Sequence, residues 1–112
     1  MTITDSSRTL IPRNRQQPMA AAAAPGDILL KDFLRPARIT QRGLARAIAV
    51  PPIRISEIIR GKRAISADTA LRLAAFFSTT PQFWLSLQTN WELSRTAHAH
   101  RETYARIQPH KG

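Results

Sequence analysis

The chain has 112 residues and no cysteine, which excludes disulfides and thiolate metal sites. Its 17 Lys and Arg residues outnumber 7 Asp and Glu residues, so the formal net charge is +10. No run approaches the roughly 20 apolar residues of a transmembrane helix, so we expect no membrane partner and a cytoplasmic location. The length suits one domain of ordinary size with a modest core.

Residues 1–24 predict a disordered basic arm. This segment carries three arginines and two prolines but few large apolar residues, too few to offset the entropy lost on ordering. Its arginines at positions 8, 13 and 15 are available for weak phosphate contacts. An alternative is that translation starts at Met19, because the alanine run after it leads directly into the first predicted helix.

The first predicted helix begins at Pro25 and ends at Pro36. Asp27 lies in its first turn, where a negative charge suits the helix dipole. The apolar face of this helix consists of Ile28, Leu29, Phe33 and Leu34. A short link then leads to Thr40, whose hydroxyl is expected to cap the next helix.

The stretch TQRGLARAIAVPPIRISEIIRG, residues 40–61, predicts two short helices joined by a tight turn. Val50-Pro51-Pro52 separates them, because a residue before proline is displaced from the α region and proline suits a first helical turn. Gly61 ends the second helix. Each helix is apolar on one side only, which predicts a helix-turn-helix. The inward stripe of the second helix consists of Ile55, Ile58 and Ile59.

The opposite face of the second helix carries groups that can contact base edges. At about 100° per residue, Ile53, Glu57 and Arg60 lie away from the isoleucine stripe, with Arg54 and Ser56 on its flanks. Arginine pairs with guanine, glutamate accepts from cytosine, and an apolar group contacts a thymine methyl. An ordinary solvated helix in a small bundle is the alternative interpretation of this face.

Local charge favours nucleic acid. Between positions 35 and 63 there are eight basic residues and a single acidic residue. A focused basic field attracts polyanions, and a membrane surface is disfavoured because the apolar sides of these short helices are needed for the core. Lys62 and Arg63 follow the second helix in a loop suited to grip phosphate.

Two further helices and an extension complete the predicted all-α architecture. Ser66 caps a fourth helix whose largely buried residues are Ala70, Leu71, Leu73, Ala74, Phe76 and Phe77. Thr80 caps a fifth helix that starts at Pro81 and packs its aromatic side chains into the core. Residues 92–107 contain no proline or glycine and are expected to extend this helix until Pro109.

No catalytic or metal-binding constellation is visible in the sequence. The carboxylates are scattered, no glycine loop suited to phosphate is present, and no nucleophile has a neighbouring base. His98 and His100 are two residues apart, so they point to different helix faces and do not form a metal pair. We interpret the chain as a non-enzyme without metal or cofactor.

Residues 25–93 resemble the HigA-type antitoxins, a branch of the Xre/Cro-like helix-turn-helix proteins. Two motifs carry the resemblance: the run VPP-x-R-I-x-E-I-x-x-GKR-x-I-x-x-DTALRL and the ending TPQFWLSLQ. It implies a five-helix lambda-repressor-like DNA-binding domain over 25–93. The residues after this domain are themselves expected to form a C-terminal helical extension and frayed tail over 94–112. Ala49 stands where the family commonly has glycine in the left-handed conformation, which implies either some strain or a slightly altered turn.

The resemblance also implies partners and contact residues. Members form homodimers, bind a palindromic operator in their own promoter, and neutralise a HigB toxin, a small ribosome-dependent mRNA endonuclease. Carried over by position, the residues expected to face bases in the major groove are Pro52, Ile53, Arg54 and Glu57. The residues expected to contact phosphate are Gln41, Arg42, Lys62 and Arg63. The expected dimer interface comprises Trp91, Leu93, Tyr104 and Ile107.

Three alternatives remain open from the sequence. The first is a stand-alone Xre-family transcriptional regulator without a toxin partner, which the domain sequence does not distinguish from an antitoxin. The second is a basic RNA-binding protein, disfavoured because the aromatic residues lie on apolar helix faces rather than in positions for base stacking. The third is an enzyme, disfavoured by the missing site.

Overall fold

A computed structural model describes residues 22–111, which contain helices and no strand. The predicted all-α class is therefore confirmed, whereas residues 1–21 of the predicted arm, including the alternative start at Met19, lie outside the described residues. The chain divides into two compact units, one spanning Ala22–Leu93 and the other including residues 94–111. Six helices are described: α1 from Pro25 to Ala37, α2 Gln41–Ala47, α3 Pro52–Ile59, α4 Ala67–Phe77, α5 Pro81–Ala99 and α6 Arg101–Ala105.

Helix α1 ends at Ala37, one residue beyond the predicted end, so Pro36 lies inside its last turn. Helix α1 consists of an α-helical segment Pro25–Ile28, a π-helical segment Leu29–Leu34 and an α-helical segment Arg35–Ala37. In the π-helical part the backbone bonds reach five residues back, as from the Arg35 N–H to the Leu30 carbonyl. This wider turn accommodates a proline, whose ring would otherwise crowd the carbonyl four residues earlier.

Three helices begin with the predicted hydroxyl caps. Thr40 Oγ1 accepts from the Gly43 N–H at 2.9 Å, at the start of α2. Ser66 Oγ accepts from the Thr69 N–H at 3.2 Å, and Thr80 Oγ1 accepts from the Phe83 N–H at 3.1 Å. Each bond satisfies one of the backbone donors left without a partner in a first helical turn.

Each of the helices α1 to α4 is followed within two residues by a left-handed residue, and three of these residues are not glycine. Arg38, Ala49 and Ser78 have φ values of 58°, 60° and 59°, whereas Gly61 closes α3 at 74°. Of the two alternatives expected at Ala49, the strained left-handed turn is thus present. After Ala49 the Val50 N–H donates to the Ala45 carbonyl at 2.9 Å, which is the six-to-one bond of a Schellman motif.

The core of the Ala22–Leu93 unit is formed by one buried cluster that draws on α1 to α5. Trp84 is fully buried, and its indole Nε1 donates to Thr79 Oγ1 at 2.7 Å. The ring of Phe33 packs against those of Phe77 and Trp84, with centroids 5.0 and 4.7 Å away. The predicted packing of α5 aromatics into the core is therefore confirmed for Trp84, whereas Phe83 is 36% exposed.

The prediction that Leu71 and Phe76 are buried is wrong. Leu71 is 59% exposed and Phe76 is 41% exposed. Helix α4 turns Ala70, Leu73 and Ala74 toward the core, a spacing of three and four residues that defines a single face. Leu71 and Phe76 lie outside that face, although the Phe76 ring still contacts Phe77 at a centroid distance of 4.9 Å.

The extension predicted over 92–107 is helical but interrupted. Helix α5 ends at Ala99, and His100 adopts φ −119° and ψ 26° before α6 begins. Helix α6 ends at Ala105, ahead of the predicted stop at Pro109. Within this second unit the centroids of the His100 and Tyr104 rings lie 6.1 Å apart.

Candidate nucleic-acid interface

Helix α3 is anchored inward by its isoleucines. Ile55 is completely buried, Ile58 is nearly so, and Ile59 is partly buried against the core. Helix α1 approaches this helix backbone to backbone at Gly26. A Cβ added to Gly26 would lie 2.6 Å from Ile59 Cα and would also meet the Ile58 carbonyl oxygen. The missing side chain therefore lets α1 support α3 from behind.

The outward side of α3 is open to solvent. Ile53 is 53% exposed, and Pro52 and Arg60 are exposed as well. Ser56 lies on the flank, where its hydroxyl donates to the Ile53 carbonyl at 3.2 Å and so has a partner within its own helix. We call Pro52, Ile53, Arg54, Glu57 and Arg60 the outward face of α3. An exposed large apolar residue beside arginines is a surface that can enter a DNA groove.

Arg54 is held at one edge of the outward face by a carboxylate on the next helix. Its Nη1 donates to Asp68 Oδ2 at 3.2 Å, and its side chain is 28% exposed. The same Asp68 oxygen accepts from Arg72 Nε at 2.9 Å. Arg72 Nη1 in turn donates to the carbonyls of Ile48 and Ala49, at 2.8 and 3.2 Å. These contacts join the turn, α3 and α4.

Glu57 is paired with one of the predicted phosphate-contacting residues. Its Oε1 accepts from Arg63 Nε at 2.8 Å, and both side chains are partly exposed. The pair links the last turn of α3 to the loop that follows, and the Lys62 N–H closes the helix end by donating to the Glu57 carbonyl at 2.8 Å. Glu57 therefore supports the loop in addition to lining the outward face.

The residues expected to contact phosphate lie at element ends around α2 and α3. Gln41 and Arg42 occupy the first turn of α2, half-buried and exposed respectively. Lys62 and Arg63 are exposed in the loop after α3. Helix ends and adjoining loops present backbone N–H groups and mobile cations, which is how many proteins hold the DNA backbone.

The residues expected at a dimer interface lie on α5 and beyond. Trp91 is partly buried beside the end of α3, where a Cβ on Gly61 would lie 3.8 Å from its ring. Leu93 is exposed at the end of the Ala22–Leu93 unit. In the second unit Tyr104 lies on α6 and Ile107 beyond it, and both are exposed.

Sequence reasoning missed three residues that shape this surface. Asp68 was not singled out, although its spacing of four from Arg72 is a usable signal for an ion pair on one helix. Gly26 gave no signal, because the residues it approaches, Ile58 and Ile59, lie more than 30 residues further along the chain. Gln88 is buried, and its Oε1 accepts from the Ile65 N–H at 2.9 Å while its Nε2 donates to Glu92 at 2.8 Å. The hydrogen bond between Ile65 and Gln88 fixes the segment between α3 and α4.

Residues 22–111 contain neither a metal-binding cluster nor a membrane-spanning helix. Their His, Asp and Glu side chains form no group of three that could hold a metal ion. None of the helices described is long and apolar enough to span a bilayer. A shallow depression of about 400 Å³ in the Ala22–Leu93 unit is lined by Ala47, Ile48, Ala49, Arg72, Ala75 and Phe76.

Fold and surface together define a helix-turn-helix protein of the kind that presents its second helix to DNA. A helix-turn-helix family model matches residues 30–84, which run from α1 into α5. Virulence-associated protein I of Dichelobacter nodosus is 46% identical over 72 residues, covering 64% of this chain and 67% of that protein. The chain belongs to the Xre-like helix-turn-helix family, which includes the HigA-type antitoxins and is not a family of enzymes.

Solved structures are similar over almost their whole length. The Pseudomonas aeruginosa protein PA4674, in complex with its 18-base-pair operator DNA, has a TM-score of 0.78 and 36% identity. It aligns with 84% of this chain and 99% of its own. The antitoxin HigA of Pseudomonas aeruginosa, with the higBA promoter, has a TM-score of 0.74 and 36% identity over 83% of this chain and 98% of its own.

Proposed function

We propose that this chain is a sequence-specific DNA-binding antitoxin that represses its own operon as a dimer and neutralises a HigB-like mRNA endonuclease. One observation carries the DNA-binding part: Ile55 and Ile58 are anchored in the core while Ile53, on the opposite side of the same helix, is 53% exposed. A helix supported in this way from behind is free to enter a major groove. The similarity to HigA and PA4674, both solved with operator or promoter DNA, supports the same assignment.

In this proposal the outward face of α3 reads bases. Arg54 donates to the O6 and N7 acceptors of a guanine, and Pro52 and Ile53 contact thymine methyl groups. Glu57 accepts from a cytosine amino group or holds Arg63 toward the backbone. The residues that contact phosphates are Gln41, Arg42, Lys62 and Arg63. Affinity therefore falls steeply as salt rises, because the release of counterions from the DNA becomes less favourable.

The proposed dimer matches the two-fold symmetry of a palindromic operator. A two-fold dimer places two α3 helices about 34 Å apart and so matches half-sites about one helical turn apart in a palindrome. We propose that Trp91, Leu93, Tyr104 and Ile107 contribute to the interface, since three of them are large apolar or aromatic side chains exposed to solvent. Sedimentation of the Leu93→Asp and Ile107→Asp variants tests this. Dimers that persist in both would place the interface elsewhere.

DNA reading is tested by comparing how Arg54→Ala changes binding to a cognate duplex and to a scrambled one. Duplexes enriched by the chain from a randomised library supply the cognate site, and a scrambled duplex supplies the reference. Arg54→Ala is expected to weaken binding to the cognate duplex by about 1–3 kcal/mol while leaving the scrambled duplex much less affected. Equal losses on both duplexes would refute a base-reading role for Arg54.

The toxin part is tested by genetics and copurification. The reading frame next to this one is expressed with and without the chain, and growth and complex formation are measured. Growth arrest relieved by the chain, together with a stable complex, is the expected result. A neighbouring product that neither arrests growth nor binds would leave the chain as a stand-alone transcriptional regulator.

A further inference from the structure

Asp68 is the acidic residue at the centre of the contacts around α3. One oxygen, Oδ2, accepts from Arg54 Nη1 on α3 and from Arg72 Nε on its own helix. Asp68 stands in the first turn of α4, where the Ser66 cap fixes the backbone. The carboxylate therefore lies on a rigid element, and the arginine it holds lies on the outward face of α3.

Arg72 extends this connection to the turn between α2 and α3. Its Nη1 donates to the carbonyls of Ile48 and Ala49, and Ala49 is the left-handed residue of that turn. Arg72 is thus fixed at two points, and it holds the Asp68 carboxylate in turn. A chain of hydrogen bonds therefore runs from the turn through α4 to Arg54.

The contact with Asp68 orients the Arg54 guanidinium and uses only part of its N–H donors. Arginine has five N–H donors in a rigid planar fork, and the hydrogen bond to Asp68 uses one nitrogen, Nη1. The edge formed by Nε and Nη2 remains for a bidentate contact with guanine. Because the Asp68 side chain is 59% exposed, the ion pair contributes little to folding stability, so its effect on recognition is separable from folding.

We propose that Asp68 is a positioning residue for base recognition, which holds the Arg54 guanidinium in the orientation that reads a guanine. This inference rests on the proposed DNA-binding function. Asp68 itself touches no base. Its effect on binding has two opposed parts. Removing its negative charge strengthens attraction to any duplex, whereas releasing Arg54 weakens recognition of the cognate one.

These two opposed effects on DNA binding distinguish a positioning role of Asp68 from a purely structural one. A residue needed only for folding would, when changed, weaken binding to all DNA in parallel. Loss of a positioning residue instead lowers cognate affinity relative to scrambled DNA, while scrambled DNA is bound as well as before or better. The upper limit of the effect is complete loss of one bidentate base contact, about 5- to 150-fold in affinity.

The experiment measures the dissociation constant for the enriched duplex and for a scrambled duplex at one fixed salt concentration. The proteins are the full-length wild type, Asp68→Asn, Asp68→Ala, Arg54→Ala and the double variant Arg54→Ala with Asp68→Asn. Asp32→Asn, an exposed carboxylate of α1, is the matched control for the change in charge. Thermal denaturation by circular dichroism checks that each variant is folded.

Both Asp68 variants are expected to lower the ratio of cognate to scrambled affinity by more than about twofold, and by no more than Arg54→Ala lowers it. In the Arg54→Ala background the Asp68→Asn change is expected to alter this ratio by less than about twofold, as is Asp32→Asn alone. An undiminished Asp68 effect without Arg54, or an unchanged ratio in both Asp68 variants, would overturn this inference alone. A wild type that enriches no duplex would overturn the proposed function and this inference with it.

Discussion

The left-handed conformation of Ala49 predicts that its replacement by glycine stabilises the protein. Ala49 has φ 60°, in a region where an L side chain with a Cβ is unfavourable by roughly 1–2 kcal/mol. Ala49→Gly removes that cost but gives the unfolded chain more freedom, which is unfavourable by about 0.5–1 kcal/mol. The net expectation is a stabilisation of about 0.5–1 kcal/mol.

The surrounding contacts are expected to survive this change, because they involve only the backbone of Ala49. Arg72 Nη1 donates to its carbonyl, and its N–H donates to the Arg46 carbonyl at 3.3 Å. For a domain of this size, the stabilisation corresponds to a rise in Tm of roughly 2–8 °C. Differential scanning calorimetry and urea denaturation of the full chain measure it.

Ala75→Gly is the matched control. Ala75 is exposed within α4 and, like Ala49, borders the shallow depression between α2 and α4. Removing the same methyl group there is expected to destabilise the protein by about 0.5–1 kcal/mol, because glycine gives the unfolded chain more freedom and relieves no strain in the helix. If Ala49→Gly destabilised the protein as Ala75→Gly does, the left-handed turn and the strain assigned to it would be refuted.

Three further changes test other parts of the structure. Gly26→Ala places a Cβ 2.6 Å from Ile59 Cα and is expected to destabilise by about 1–3 kcal/mol or more in urea; a neutral effect would contradict the close approach of α1 to α3. Gln88→Ala leaves the Ile65 N–H without its 2.9 Å acceptor and is expected to destabilise by about 1–3 kcal/mol, so a change below about 0.5 kcal/mol counts against that bond. Lys62→Ala is expected to make the slope of log affinity against log salt shallower by about 1 per bound chain, whereas an unchanged slope argues against a phosphate contact.

Features set by neighbouring residues could be predicted from the sequence. The hydroxyl caps at Thr40, Ser66 and Thr80 depend on a side chain and an N–H three residues later, and all three are present. The inward position of Ile55 and Ile58 follows from helical periodicity alone. The left-handed conformation at Ala49 depended on the resemblance to a family that commonly has glycine there.

Features set by contacts between distant segments could not be predicted. Asp68 is 14 residues from Arg54 in the chain, and Arg72 is 24 residues from the Ile48 carbonyl to which it donates. Local spacing gives no information about such pairs. The exposure of Leu71 likewise depends on which side of α4 the other helices cover, and hydrophobic composition alone assigned it to the core.

The central claim is that the outward face of α3 enters the DNA, and the absence of cysteine permits a direct test. Ile53→Cys places one thiol on that face, and Leu71→Cys places one on α4 at a similar exposure. Each thiol is labelled with an iron chelate that cleaves nearby DNA, and cleavage of the enriched duplex is mapped. We expect the Ile53 label to cut within each half-site and the Leu71 label to leave the half-sites intact. Cleavage from the Leu71 label alone would contradict the account.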